Sequence, residues 1–263
     1  MRIRSKVFAA VASLTLLGGV AAGPATWTAN AATPSCGGVC VNTYPREYSG
    51  QSLNAPQFVI DVLRQGSKVN QPIILFRGSN SDPAEDFTIT QQGRVSDFYA
   101  AGLVSAAFAL HYGCNGTIAV QGAQIPCDQG AVNDNAWELQ YSPFGVDSGL
   151  CMGVASTAVS GEKVSLQPCG ISSKTVWAED TNPNDMSPVN PGDYAAINGS
   201  DVNFSHPFVL TYPTGAYPTD KPRVQLTVAN LAQFSQGPTF DDDAQLWTGF
   251  VGVLPERDLG PGA

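Results

Sequence analysis

The chain carries few groups able to do covalent chemistry. His111, in the stretch LHYGC, and Ser148, in VDSGLC, are the base and nucleophile that a hydrolase would use. Neither a G-x-S-x-G elbow nor an H-E-x-x-H pair accompanies them, and a histidine beside an apolar run is ordinarily a structural group. Paired carboxylates come next, because glycoside hydrolysis needs an acid and a base or nucleophile. The acidic clusters DPAED (82–86) and FDDD (240–243) both lie among turn-forming residues, which reads as solvated turns. A calcium loop at Asp241–Asp243 lacks the D-x-D-x-D-G spacing. With two histidines and no C-x-x-C, zinc is not expected either. The expectation is a protein with no catalytic residues, no metal and no cofactor.

The six cysteines are Cys36, Cys40, Cys114, Cys127, Cys151 and Cys169. An even count suits disulfides in an exported chain, and pairing of sequence neighbours closes the shortest loops. Export is expected from the N-terminus. Arg2, Arg4 and Lys6 precede an apolar run to about Gly23, and the tripeptide ANA (29–31) offers an A-x-A cleavage site, so residues 1–31 read as a secretory signal. Losing that segment removes three basic residues and no acid, taking the formal charge from −9 to −12. So acidic a protein repels phosphate backbones, and nucleic acid is not an expected partner. No later stretch is apolar enough to insert in a membrane. The expected location is secreted and extracellular.

The elements that must position any site are short. The runs QFVIDVL (57–63), PIILF (72–76), DFTIT (86–90), TIAVQ (117–121), WELQYS (137–142), KVSLQ (163–167), PFVLTY (207–212) and RVQLTV (223–228) have strand character and are punctuated by Gly and Pro. Residues 96–113 read either as a helix capped by Ser96 or as a strand pair broken at Gly102. A threefold pattern then emerges. F-V-I-D-V (58–62), L-C-M-G-V (150–154) and F-V-L-T-Y (208–212) each precede an alternating strand and a closing aromatic at Phe87, Trp177 or Trp247. In this alignment Cys151 lies opposite Val59 and Val209, and Cys169 opposite Gly78 and Ala229. Two positions that become cysteine together favour a Cys151–Cys169 bond.

L-C-x-x-V, V-x-L-x-x-C-G and the closing Q-x-W resemble the repeat of ricin-B-type lectins. That resemblance implies a mainly-β fold, an enlarged β-trefoil of three degenerate repeats with insertions; a two-sheet sandwich is the alternative. The implied organisation is a signal at 1–31, an extension at 32–54, the trefoil-like domain at 55–255 and a tail at 256–263. The repeats fall at about 55–90, 137–180 and 205–250, with 88–136, 178–204 and 230–244 as insertions or elaborated strands. The family also implies a sugar site per repeat, with an Asp after the first strand, an Asn before the next and an aromatic cover. The Asp position holds Asp61, Gly153 and Thr211, and only the first repeat adds Asn70 and Gln71. The expected function is therefore a secreted, non-catalytic lectin with at most one site, at Asp61, Asn70 and Gln71, for an extracellular glycan or polysaccharide. The alternative is an interaction or inhibitor-like trefoil without sugar binding. Phe87, Trp177 and Trp247 read as core, whereas Trp137 and Tyr141 fit either core or an exposed platform.

Overall fold

The computed structural model describes residues 44–45, 58–77, 82–181, 194–212, 224–231 and 244–248. All belong to the unit Ala31–Ala263. The expected signal and extension (apart from 44–45), the tail, Cys36, Cys40 and the acids at 241–243 lie outside the described residues.

The strands group in fours. Unit one holds β1 (Tyr44–Pro45), β2 (Phe58–Val62), β3 (Ile73–Arg77) and β4 (Phe87–Arg94). An insertion follows, with helices α1 (Val95–Ala100) and α2 (Ala106–Tyr112) and a hairpin of β5 (Thr117–Val120) and β6 (Ala123–Pro126). Unit two is β7 (Asn135–Tyr141), β8 (Leu150–Val154), β9 (Val164–Pro168) and β10 (Trp177–Asp180). Unit three is β11 (Ala195–Asn198), β12 (Phe208–Thr211), a third strand split into β13 (Val224–Gln225) and β14 (Thr227–Asn230), and β15 (Trp247–Thr248).

Register shows that the three units are equivalent. The middle hairpins pair Ile60 with Leu75, Met152 with Leu166 and Leu210 with Val228. The last strand of each unit pairs antiparallel with the first strand of the next. Phe87 faces Tyr141, Trp177 faces Asn198 and Trp247 faces Pro45, in each case the final residue of the partner strand. Both pairings recur three times around one axis, which is a β-trefoil and leaves no place for a two-sheet sandwich. Near that axis the hairpins interlock through the equivalent residues Ile73, Val164 and Leu226. Leu226 N donates to Ile73 O and Val164 N to Leu226 O, while the Gln225 carboxamide reaches Val164 O.

The closing aromatics fill the main core, as their apolar area dictates. Phe87, Trp177 and Trp247 are buried there with Trp137 and Tyr141. The indole N–H of Trp177 donates to Met152 O (3.0 Å), and that of Trp247 to the equivalent Leu210 O (2.9 Å). Phe87 lacks an N–H and cannot repeat that bond. Trp137 stacks on Trp177 with centroids 6.2 Å apart, and Tyr141 lies 5.7 Å from Phe87, so both are core and not platform.

The expected insertion at 88–136 is shorter than the sequence spacing implies, because residues 87–94 and 135–141 are strands and only 95–134 is added. It builds a second core, in which Val95, Phe98, Phe108 and Tyr112 pack on Val176, Ile197 and Val209. Residues 96–113 form neither of the two expected arrangements. They are helical but break at Gly102, whose φ of +76° suits glycine. Ser105 caps α2 by accepting from Phe108 N, and Ser96 instead exchanges hydrogen bonds with Asn133.

Among the described residues two disulfides are formed, Cys114–Cys127 (Cα–Cα 5.6 Å) and Cys151–Cys169 (5.0 Å). The alignment around the second needs one correction. Val209 faces Ala229, as Cys151 faces Gln167, so the counterpart of Cys169 is Leu231 and not Ala229. The backbone agrees, since Cys169 N donates to Gly149 O and Leu231 N to the equivalent Pro207 O. No helix among the described residues is long and apolar enough to cross a membrane.

Candidate functional site

The three residues expected to bind sugar share one hairpin but not one pocket. Asp61 lies on β2 and is only 3% exposed. Its carboxylate is gathered with those of Asp82 and Glu85, with ligand atoms all within 4.8 Å of one another. The short turn Pro83–Glu85 sets this up. Asp82 caps it by accepting from Ala84 N (2.9 Å), and the same oxygen accepts from Gln65 Nε2 (2.9 Å). An all-oxygen set of this kind accepts hydroxyl protons, and is also a donor set a hard cation would take.

Gln71 is buried and turns away from that group. Its carboxamide donates to Leu63 O and braces the turn at Leu63–Gln65, where Arg64 and Gln65 adopt positive φ. Gly66 lies close beside it, and a Cβ there would displace the Gln71 carboxamide, 2.4 Å away. Asn70, exposed and also at positive φ, faces the second unit. Its N–H donates to Leu166 O, and its Oδ1 accepts from Gln167 Nε2 (2.9 Å).

The equivalent positions in the other units are closed. A Cβ at Gly153 would stand 2.6 Å from Lys174 O and 2.9 Å from the Thr175 methyl. Thr211 donates to Val209 O and accepts from Gln245 Nε2 (3.2 Å), the glutamine of the closing Q-x-W. Of these three equivalent positions, only that of unit one carries a carboxylate.

A residue absent from the sequence expectation completes this region. Phe144, in the 3-10 turn Pro143–Gly145, is 68% exposed, with Val146 beside it equally open. That turn packs against the Pro83–Glu85 turn carrying the acids. Phe144 N donates to Asp86 Oδ2 (2.8 Å), and Ser142 N to Asp86 O, which fixes the ring's backbone despite its positive φ. The readable signal was S-P-F-G between two strands, a turn with an apolar residue at its tip.

The remaining candidates are engaged locally. His111 Nδ1 lies 3.0 Å from Asp128 Oδ2 and its ring stacks on Phe204 at 5.1 Å. Ser148 Oγ donates to Tyr141 O in the β7–β8 loop, so the two do not form a nucleophile–base pair. Buried acids also support the scaffold. Glu138 accepts from the Thr175 hydroxyl and Gly170 N. Glu179, 2% exposed, accepts from Asn135 Nδ2 (3.2 Å), and burial raises its pKa to about 7. Asp134 is pushed to about 8, by burial first and then by Asp180, against the lowering pull of Arg94.

No protein-family model and no curated protein matches the chain. Among solved structures it is similar to ThreeFoil, a designed threefold-symmetric protein, at 10% identity and a TM-score of 0.43 over 79% of this chain and 95% of that one. A mosquitocidal holotoxin is similar at 10% identity and a TM-score of 0.42, with 79% of this chain covering 16% of the toxin. A Caenorhabditis elegans protein of unknown function is similar at 10% identity and a TM-score of 0.36, over 79% and 90% of the two chains.

Proposed function

We propose that this is a secreted, non-catalytic carbohydrate-binding protein of ricin-B-like character whose single lateral site lies in unit one. The observation that carries this reading is the exposed Phe144 ring, fixed by its own backbone to Asp86 beside the turn that holds Asp82 and Glu85. A sugar presents an apolar face and a belt of hydroxyls. An open aromatic ring next to carboxylate acceptors suits both, and charge-assisted hydrogen bonds are the stronger kind. Asp82 is the accessible acceptor and Asp61 backs it. Gln71 and Asn70 hold the hairpin, which revises their role from direct contact to positioning.

A glycan array with the wild-type protein is the direct test. Phe144→Ala is expected to weaken binding about tenfold or more while leaving the fold intact, because that side chain is exposed. Asp82→Ala should weaken it similarly, with the melting temperature recorded because its bonds to Ala84 N and Gln65 are lost too. Binding that survives both substitutions removes this site. No binding to any glycan favours the alternative, an interaction protein that uses the trefoil as a scaffold.

A further inference from the structure

An open surface cleft of about 530 Å³ lies where the three hairpins interlock, and none of the acids of unit one lines it. Each unit supplies part of its wall: Asn70 and Pro72 from the first, Ala155 and Ser165 from the second, Gln225 from the third. The walls are held by main-chain bonds between units. Asn70 N donates to Leu166 O, Leu166 N to Gln71 O, Gly161 N to Val228 O and Val228 N to Glu162 O. Main-chain bonds of this kind fix the backbone of the walls, so a ligand need order only the side chains that line them.

The hydrogen-bond network also fixes which polar atoms remain to be used. Gln167 Nε2 donates to both Asn70 Oδ1 (2.9 Å) and Ser165 Oγ (2.8 Å). The Asn70 amide N–H and the Ser165 hydroxyl proton are thereby left as donors. Gln225 Nε2 is committed to Val164 O (3.1 Å), which leaves Gln225 Oε1 as an acceptor. Glu162 and Lys163 add one charge of each sign to the lining, so the cleft selects neither anions nor cations. Fixed neutral donors beside a fixed neutral acceptor match a group that both gives and takes a hydrogen bond, which is what a hydroxyl does.

We propose that this axial cleft is a second binding site, for a small neutral polyhydroxylated ligand of monosaccharide or cyclitol size, built jointly by Asn70, Ser165 and Gln225. It goes beyond the lateral site, shares no aromatic or carboxylate contact with it, and stands or falls separately.

The test is a titration of ¹⁵N-labelled protein with D-glucose and with myo-inositol, read at the side-chain amides of Asn70 and Gln225. Saturable shifts at both amides are expected with at least one of the two probes. Ala155→Trp fills the cleft from an exposed position and removes no side-chain hydrogen bond, so it is expected to weaken those shifts at least about tenfold. Gln225→Leu is expected to do the same, with the melting temperature recorded because its bond to Val164 O is lost too. Phe144→Ala should leave the axial shifts unchanged. Absence of shifts with both probes, their persistence in Ala155→Trp, or their loss in Phe144→Ala would each overturn the proposal. Only the last of these would assign the binding to the lateral site.

Discussion

Residues 61, 153 and 211 occupy one structural position and meet three different fates. Asp61 joins a group of carboxylates, Thr211 is tied to Gln245, and Gly153 lies against the backbone of Lys174. The close approach at Gly153 explains why the segment most like a lectin repeat cannot itself hold the sugar-binding acid. Gly153→Asp should destabilise the protein by about 2–4 kcal/mol, since it combines overpacking with a buried charge. Urea unfolding measures this, and the same variant should gain no glycan binding. An unchanged midpoint together with new binding would show that the pocket of unit two is open. The Trp-to-Phe difference among the units is read in the same way. Trp177 and Trp247 satisfy equivalent carbonyls, so either changed to Phe should cost about 2–4 kcal/mol in the same urea measurement, because a buried carbonyl loses its donor and the smaller ring leaves a cavity.

At the scale of elements, much was legible because period-2 patterning and a buried aromatic at fixed offset leave a trace in the sequence. All eight runs read as strands contain one, and the Cys151–Cys169 pairing followed from two positions changing together. The site was less legible. Asp61, Asn70 and Gln71 looked like one constellation, but Gln71 spends its amide on the Leu63 carbonyl and Asn70 turns toward the second unit. Phe144 was overlooked because a single apolar residue in a turn has no period. The insertion posed a similar problem, since its helices are short and Gly102 interrupts an otherwise continuous apolar pattern. Its helices pack on the trefoil only through their apolar face, and its hairpin is tied back by Cys114–Cys127, so we expect the insertion to loosen before the strands beneath it. Replacing both cysteines by Ser should cost about 2–3 kcal/mol at that element. Hydrogen exchange should then quicken in residues 106–127 and stay slow in β8 and β9. Equal loss of protection in both regions would show that the insertion and the trefoil unfold as one unit.

For the whole molecule, acidity and burial combine into a dependence of stability on pH. Glu179 is held near 7, chiefly by burial and against the lowering effect of its Asn135 and Trp137 hydrogen bonds and of Arg94. Asp134 is held near 8 by burial and Asp180, and Glu179 raises it further. In the unfolded chain both carboxyls titrate near 4. The folded state therefore binds protons that the unfolded state has released. The resulting stabilisation is full below about pH 4, declines as the pH rises, and is gone above about pH 8. The overall negative charge acts in the same direction, because self-repulsion grows as further carboxyls ionise. Substitution separates the two effects. Glu179→Gln keeps the shape and removes one buried titration, but leaves the surface charge nearly unchanged. The wild-type melting temperature should fall between about pH 5 and pH 8.5, whereas Glu179→Gln should fall less, by an amount equivalent to about 3 kcal/mol at most. Asp134→Asn should flatten the upper part of the same range. If all three profiles run parallel, the dependence belongs to the net charge, and Glu179 of β10 and Asp134 just before β7 take no part in it.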